Sequence, residues 1–137
     1  MTEAASSIEE IVKRFGADSG TIHMLGADGL LHLKAATAGI PEAVLRVVET
    51  IPVGKGMAGL CVERQTPVTA CNIQTDTSGD VRAGARQTGL EGAIVVPIFD
   101  GERPVGALGI ANRRERTFTD EEQRELIAVG RALVRKA

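Results

Sequence analysis

Apolar positions recur along the chain with two different periods. Between residues 6 and 15, Ile8, Ile11, Val12 and Phe15 fall at helical spacing. Ser6 with Glu9, or Ser7 with Glu10, has the spacing of a capping box, and Gly16 with Asp18-Ser19-Gly20 supplies a stop. Thr21 to Leu25 and Leu30 to Ala36 then read as two strands of a hairpin, with Gly26-Ala27-Asp28-Gly29 as the turn. Leu31, Leu33 and Ala35 alternate with His32 and Lys34, which predicts one buried and one wetter face.

Pro41 suits the first turn of a helix reaching about Thr50, with Val44, Leu45, Val47 and Val48 as its apolar side. Gly54-Lys55-Gly56 separates it from a second short helix, roughly Met57 to Arg64, and Val68 to Asn72 reads as a strand. Residues 72–91 are polar and irregular, with a short helix expected from about Val81 to Gln87. Ala93 to Phe99 and Pro104 to Ala111 are nearly continuous apolar runs, as expected of central strands covered on both faces. Thr119 with Glu122 caps a last helix whose stripe is Leu126, Val129 and Leu133, widened by Ile127 and Val134. Hairpin-linked strands with helices at the ends and in the middle predict an α+β fold on a largely antiparallel sheet.

Composition sharpens this picture. The chain has 137 residues, which fits one domain, 1–137. A formal net charge of −2 and the lack of a long basic stretch argue against a nucleic-acid partner. No apolar run has membrane-spanning length, and Met1 to Glu10 lacks the apolar core of a secretory signal, so a cytoplasmic location is expected. Three Phe, no Tyr and no Trp leave little for ring-stacking recognition of a flat ligand. Cys61 and Cys71 are the only thiols and fit no zinc pattern; with no secretion signal they read as reduced, buried structural residues.

Several runs together resemble the GAF domain, a small-molecule-sensing relative of the PAS fold. They are Ile51-Pro52-Val53-Gly54-Lys55-Gly56-Met57-Ala58-Gly59, Gln65-Thr66-Pro67-Val68, Asn72-Ile73-Gln74-Thr75-Asp76, Ala93 to Ile98 and Val105 to Ile110. The resemblance covers nearly the whole chain. It implies a central sheet of five to six strands, terminal helices on one face, and a pocket formed by short helices and loops on the other. It also implies a free-standing sensory or regulatory module, like the input domains of histidine kinases, phosphodiesterases and transcription regulators. Asn112, Arg113, Phe118, Asp120 and Glu121 resemble the Asn-Lys…Phe…Asp-Glu pattern of cyclic-nucleotide-binding members, with Arg for Lys. That pattern implies an ion pair between Arg113 and Asp120 joining the last strand to the last helix.

Mapped onto this chain, the family pocket is walled by residues from about Val68 to Ala93 and parts of the first two strands. Its polar candidates are Thr69, Asp76, Thr77, Ser78, Arg82 and Arg86. Arg82 and Arg86 share a face if helical, and their guanidinium groups would clamp an anion; the competing reading is a solvated face. The terminal helices offer a homodimer contact through Ile8, Ile11, Phe15, Leu126, Val129 and Leu133, apart from whatever covers the sheet of the same chain. Signalling then runs through dimerisation or a protein partner in trans.

The alternatives are a structural GAF domain with a collapsed pocket, a cyclic-nucleotide binder, and an enzyme like the free methionine-(R)-sulfoxide reductases. The reductase cysteines correspond here to Met57-Ala58 and to residues 81–87, which hold no Cys. His23 and His32 lack a third ligand for a metal, and they read as satisfied or solvent-facing. Gly54-Lys55-Gly56 lacks the phosphate-loop spacing, and no catalytic constellation is evident, so no enzymatic activity, metal or cofactor is expected.

Overall fold

In the computed structural model, which describes residues 3–81, 86 and 88–136, ten elements follow one another. They are α1 (Glu3–Arg14), β1 (Ser19–Leu25), β2 (Leu30–Ala36), α2 (Glu42–Val48), β3 (Thr50–Pro52), α3 (Gly56–Arg64), β4 (Val68–Ala70), β5 (Gly92–Asp100), β6 (Arg103–Asn112) and α4 (Asp120–Lys136). The strands form one six-stranded sheet in the order β3-β2-β1-β6-β5-β4, antiparallel throughout. The expected α+β class and terminal-helix layer are therefore found. The strand β3 is an addition to the predicted elements. It is three residues long, contains Pro52 and lies at the sheet edge, where a missing N–H costs no ladder bond. The helix expected from Val81 to Gln87 lies mostly outside the described residues.

Strand alternation sorts the central strands into two faces. Ile22, Ile94, Val96, Ile98, Leu108 and Ile110 point to one side and form the main core with Ile8, Ile11, Val12 and Phe15 of the N-terminal region and Leu126 of α4. Of the residues expected at a dimer contact, Ile8, Ile11, Phe15 and Leu126 are at most 7% exposed and cover the sheet of their own chain, whereas Val129 and Leu133 pack against the same core but stay partly exposed. The helix α4 begins with the predicted capping box, in which the Thr119 N–H donates to Glu122 Oε1 (2.9 Å) and the Glu122 N–H to Thr119 Oγ1 (3.1 Å).

The brace between the last strand and the last helix differs from the expected one. Arg113 and Asp120 are exposed and do not pair with each other, and Arg113 contributes its backbone N–H, to Asp18 Oδ2 (2.7 Å). The chain leaves β6 at Asn112 and turns back, so the side chain that faces inward is Arg116. It pairs with Glu122 (2.6 Å), donates to Asn112 Oδ1 (2.8 Å) and lies 4.3 Å from the Phe118 ring centroid.

Candidate functional site

The opposite face of the central strands carries small residues. Ala93 of β5 and Ala107, Gly109 and Ala111 of β6 occupy positions that alternate with the large residues of the main core. Packing helices over such a floor leaves volume unfilled. A cavity of about 180 Å³ lies there, and its floor also includes Thr21 and His23 of β1. Val44 and Val48 of α2 form one wall, Met57 and Ala58 of α3 another, and Ile73, Thr88 and Leu90 of the β4–β5 connection a third. The helix α3 comes close to the turn before it because residue 59 is glycine: a Cβ there would collide with the Pro52 carbonyl oxygen. These walls are almost wholly apolar, and among the described residues the ionisable ones that line the cavity are His23 and the exposed Lys55.

His23 is 3% exposed, and its Nε2 lies 2.8 Å from the Val48 carbonyl oxygen. A carbonyl only accepts, so Nε2 carries the hydrogen and Nδ1 of the neutral ring is an acceptor. Burial pushes its pKa below the ordinary 6.5, against the weaker opposing pull of the Val48 bond. Beside it, Ser19 Oγ and Thr37 Oγ1 pair at 3.1 Å, and Thr37 Oγ1 also accepts the Gly20 N–H.

Of the polar residues expected to bind a ligand, the described ones, Thr69, Asp76, Thr77, Ser78 and Arg86, do not line this cavity. Thr69 is the exposed middle residue of β4, between buried Val68 and Ala70. Asp76, Thr77 and Ser78 belong to a surface turn in which Asp76 Oδ2 accepts both the Ser78 N–H (3.2 Å) and hydroxyl (2.5 Å). Arg86 points its guanidinium at loop carbonyls, with Nε donating to Ile73 (3.2 Å) and Nη2 to Asp76 (2.8 Å). It acts as a strut for the loop. Arg82 lies outside the described residues, so the two-arginine anion clamp is not assembled by those described. Arg64 of α3 holds the same loop with a two-armed pair to Asp80 at 2.9 and 3.1 Å.

The thiols divide. Cys61 is fully buried, its pKa pushed up to about 12 by burial, and it does not line the cavity. Cys71 corrects the expectation of burial: β4 ends at Ala70, and Cys71 is exposed past the strand end, 3.9 Å from Glu115 Oε2 and from Thr117 Oγ1. His23 and His32 are not directly opposed, because the register pairs His23 with Leu33 and Met24 with His32; His32 binds Asp28 instead (2.9 Å). Among the described residues no cluster of His, Cys, Asp and Glu suits a metal, and no helix is long and apolar enough to cross a membrane. The lining residues Thr21, Ala93, Gly109 and Ala111 were not among the expected site residues. For Gly109 and Ala111 the signal in the sequence is the alternation of small and branched residues in Val105-Gly106-Ala107-Leu108-Gly109-Ile110-Ala111.

Comparison with known proteins places this geometry. A family profile described as "GAF domain" matches residues 1–134. No curated protein matches. Among solved structures, the GAF domain of a phosphoenolpyruvate-protein phosphotransferase from Coxiella burnetii is similar, with a TM-score of 0.77, 20% identity, and coverage of 96% of this chain and 78% of that one. The free methionine-R-sulfoxide reductase of Neisseria meningitidis, solved with its substrate, has a TM-score of 0.77 and 18% identity, covering 97% of this chain and 74% of that one. A domain of a two-component sensor histidine kinase protein from Sinorhizobium meliloti 1021 has a TM-score of 0.75 and 17% identity, with 96% and 86% covered.

Proposed function

The chain belongs to the GAF domain family of regulatory and sensory modules, and from that premise we propose that it is a non-catalytic sensor that binds a small molecule in the cavity beneath α2 and α3. The observation that carries this reading is the cavity itself, a space of about 180 Å³ left by small residues on central strands. A purely structural domain gains from filling such a space, since an empty cavity costs stability. Against reductase chemistry, the positions equivalent to the reductase cysteines include Met57 and Ala58, and the buried Cys61 thiol is held un-ionised. The chain's two free thiols fit action in a reducing cytoplasm.

In this reading the output is a change at α1 and α4, passed to a second copy or to a protein partner. The connection is physical: Ala93 and Ala111 touch the cavity, while their strand neighbours Ile94 and Ile110 belong to the core that carries those helices. A ligand shifts the equilibrium only by its differential affinity for two helix arrangements. Native mass spectrometry of protein purified from its own host tests the reading. A co-purified small molecule, with altered hydrogen exchange in both terminal helices after its removal, is expected. A ligand-free protein that neither gains nor loses helix protection with host metabolites would refute it.

A further inference from the structure

Building on the pocket reading above, we infer that the cavity selects an uncharged, mostly apolar molecule whose single O–H or N–H group is held by Thr21 and His23 on β1. Size sets the first limit. An apolar cavity of about 150 Å³ accommodates benzene, so this one suits roughly six to ten non-hydrogen atoms. A nucleotide exceeds that space.

Charge sets the second limit. Among the described residues no carboxylate lines the cavity, and the lysine that does, Lys55, is exposed. An ion moved among Val44, Val48, Ile73, Leu90 and Ala93 would lose its hydration without a buried partner.

The polar end is fixed by β1. Thr21 and His23 share the cavity face, opposite Gly109 and Ala107 of β6. An ideal Cβ at Gly109 would lie 3.4 Å from Thr21 Oγ1, which places that hydroxyl over the cavity floor. Among the described residues the Thr21 hydroxyl and His23 Nδ1 have no hydrogen-bond partner, whereas Ser19 is already bonded to Thr37. No fully enclosed side-chain nitrogen or oxygen among the described residues lacks a partner, so Nδ1 keeps contact with open space, and His23 borders the cavity. With Nε2–H committed to Val48, Nδ1 can only accept, which calls for a ligand that donates.

Phenol, toluene and benzoate form the test set: a donor, its apolar match and an anion. Calorimetry measures all three, and because the chain has no Trp or Tyr, phenol emission is a second readout. Phenol and toluene are expected to bind, with benzoate at least about tenfold weaker, in keeping with the cost of burying a charge. Thr21→Val and His23→Leu are each expected to lower the phenol-to-toluene affinity ratio by about fivefold or more, as an unpaired donor does. Ala93→Leu, which fills the floor, is expected to abolish both; Gly109→Ala adds a smaller block should that variant fail to fold. Benzoate binding tightest, or a ratio unmoved in both β1 variants, would overturn the inference and leave the pocket reading standing. If none of the three binds while the host-purified protein carries a ligand, the chemistry inferred here is wrong and the pocket remains. If none binds and no ligand co-purifies, both fall.

Discussion

Removing the Arg116 guanidinium tests which arginine ties the last strand to the last helix. Its side chain is only 11% exposed and ties β6, α4 and the connection between them together. It bonds Glu122 at 2.6 Å and Asn112 Oδ1 at 2.8 Å, and it stacks 4.3 Å from the Phe118 ring. In Arg116→Ala, Asn112, itself 2% exposed, keeps its donor bond to the Gly16 carbonyl but loses the partner of Oδ1. A hydrogen bond to a charged group is worth about 1.5–3 kcal/mol, and an orphaned buried acceptor costs a similar amount. The terms overlap, since both count the same lost bond, so the expected loss is about 3 kcal/mol. For a chain of this size that lowers the midpoint temperature by about 10 °C. Arg113→Ala and Asp120→Asn, on exposed side chains, are each expected to stay within about 0.5 kcal/mol of wild type. Urea unfolding followed by far-ultraviolet circular dichroism measures all three, since the chain has no Trp to report by fluorescence. An Arg113→Ala loss equal to or larger than that of Arg116→Ala would refute the assignment.

Three further outcomes follow from the same geometry. Alkylation of the folded protein should modify exposed Cys71 rapidly and Cys61, fully buried with a pKa pushed up to about 12, only at the rate of unfolding; equal rates at the two sites would contradict the packing. His23 has a native pKa below 6.5, so the unfolded chain binds the extra proton first, and stability falls as pH drops from 6.5 to the native value. The stability advantage of wild type over His23→Leu should therefore shrink between pH 7.5 and 5, and an advantage that grows would show the ring to be protonated in the native state. Gly59→Ala drives a methyl into the Pro52 carbonyl and should cost about 2 kcal/mol or more in urea unfolding; a neutral result would mean that α3 can move off the turn.

Elements with a strong local period were legible in the chain, and those defined by their neighbours were not. The spacing of Ile8, Ile11, Val12 and Phe15 marked α1, and Thr119 with Glu122 marked the start of α4 down to the capping bonds. The first hairpin followed from the turn Gly26–Gly29 between two strand patterns, and the second from two apolar runs separated by the polar residues 100–103. The strand β3 escaped because three residues including Pro52 carry no period; only pairing with Leu30, Leu31 and His32 of β2 makes them a strand. Arg116 escaped because the turn after Asn112 sets which arginine faces inward, and the resembled family pattern pointed to Arg113. Cys71 and Ala70 are adjacent, and the strand end between them decides which is buried.

The cavity escaped the sequence for a related reason. Polarity was taken as the mark of a binding residue, yet Asp76, Ser78 and Arg86 spend their polar groups on holding their own loop in place. A backbone segment without regular structure must satisfy its carbonyls and N–H groups somewhere, and side chains of that kind are how it does so. The cavity is instead written in side-chain volume. In β5 and β6 every second residue builds the core that holds α1 and α4, and the residues between them are kept small enough to leave room on the other side. One pair of strands therefore serves two purposes that pull in opposite directions: the large side chains supply the burial that stabilises the fold, and the small ones give up part of it. Because both sets sit on the same backbone, a molecule pressed against Ala93, Gly109 and Ala111 bears on strands whose other face carries the terminal helices. No separate wire between pocket and helices is required.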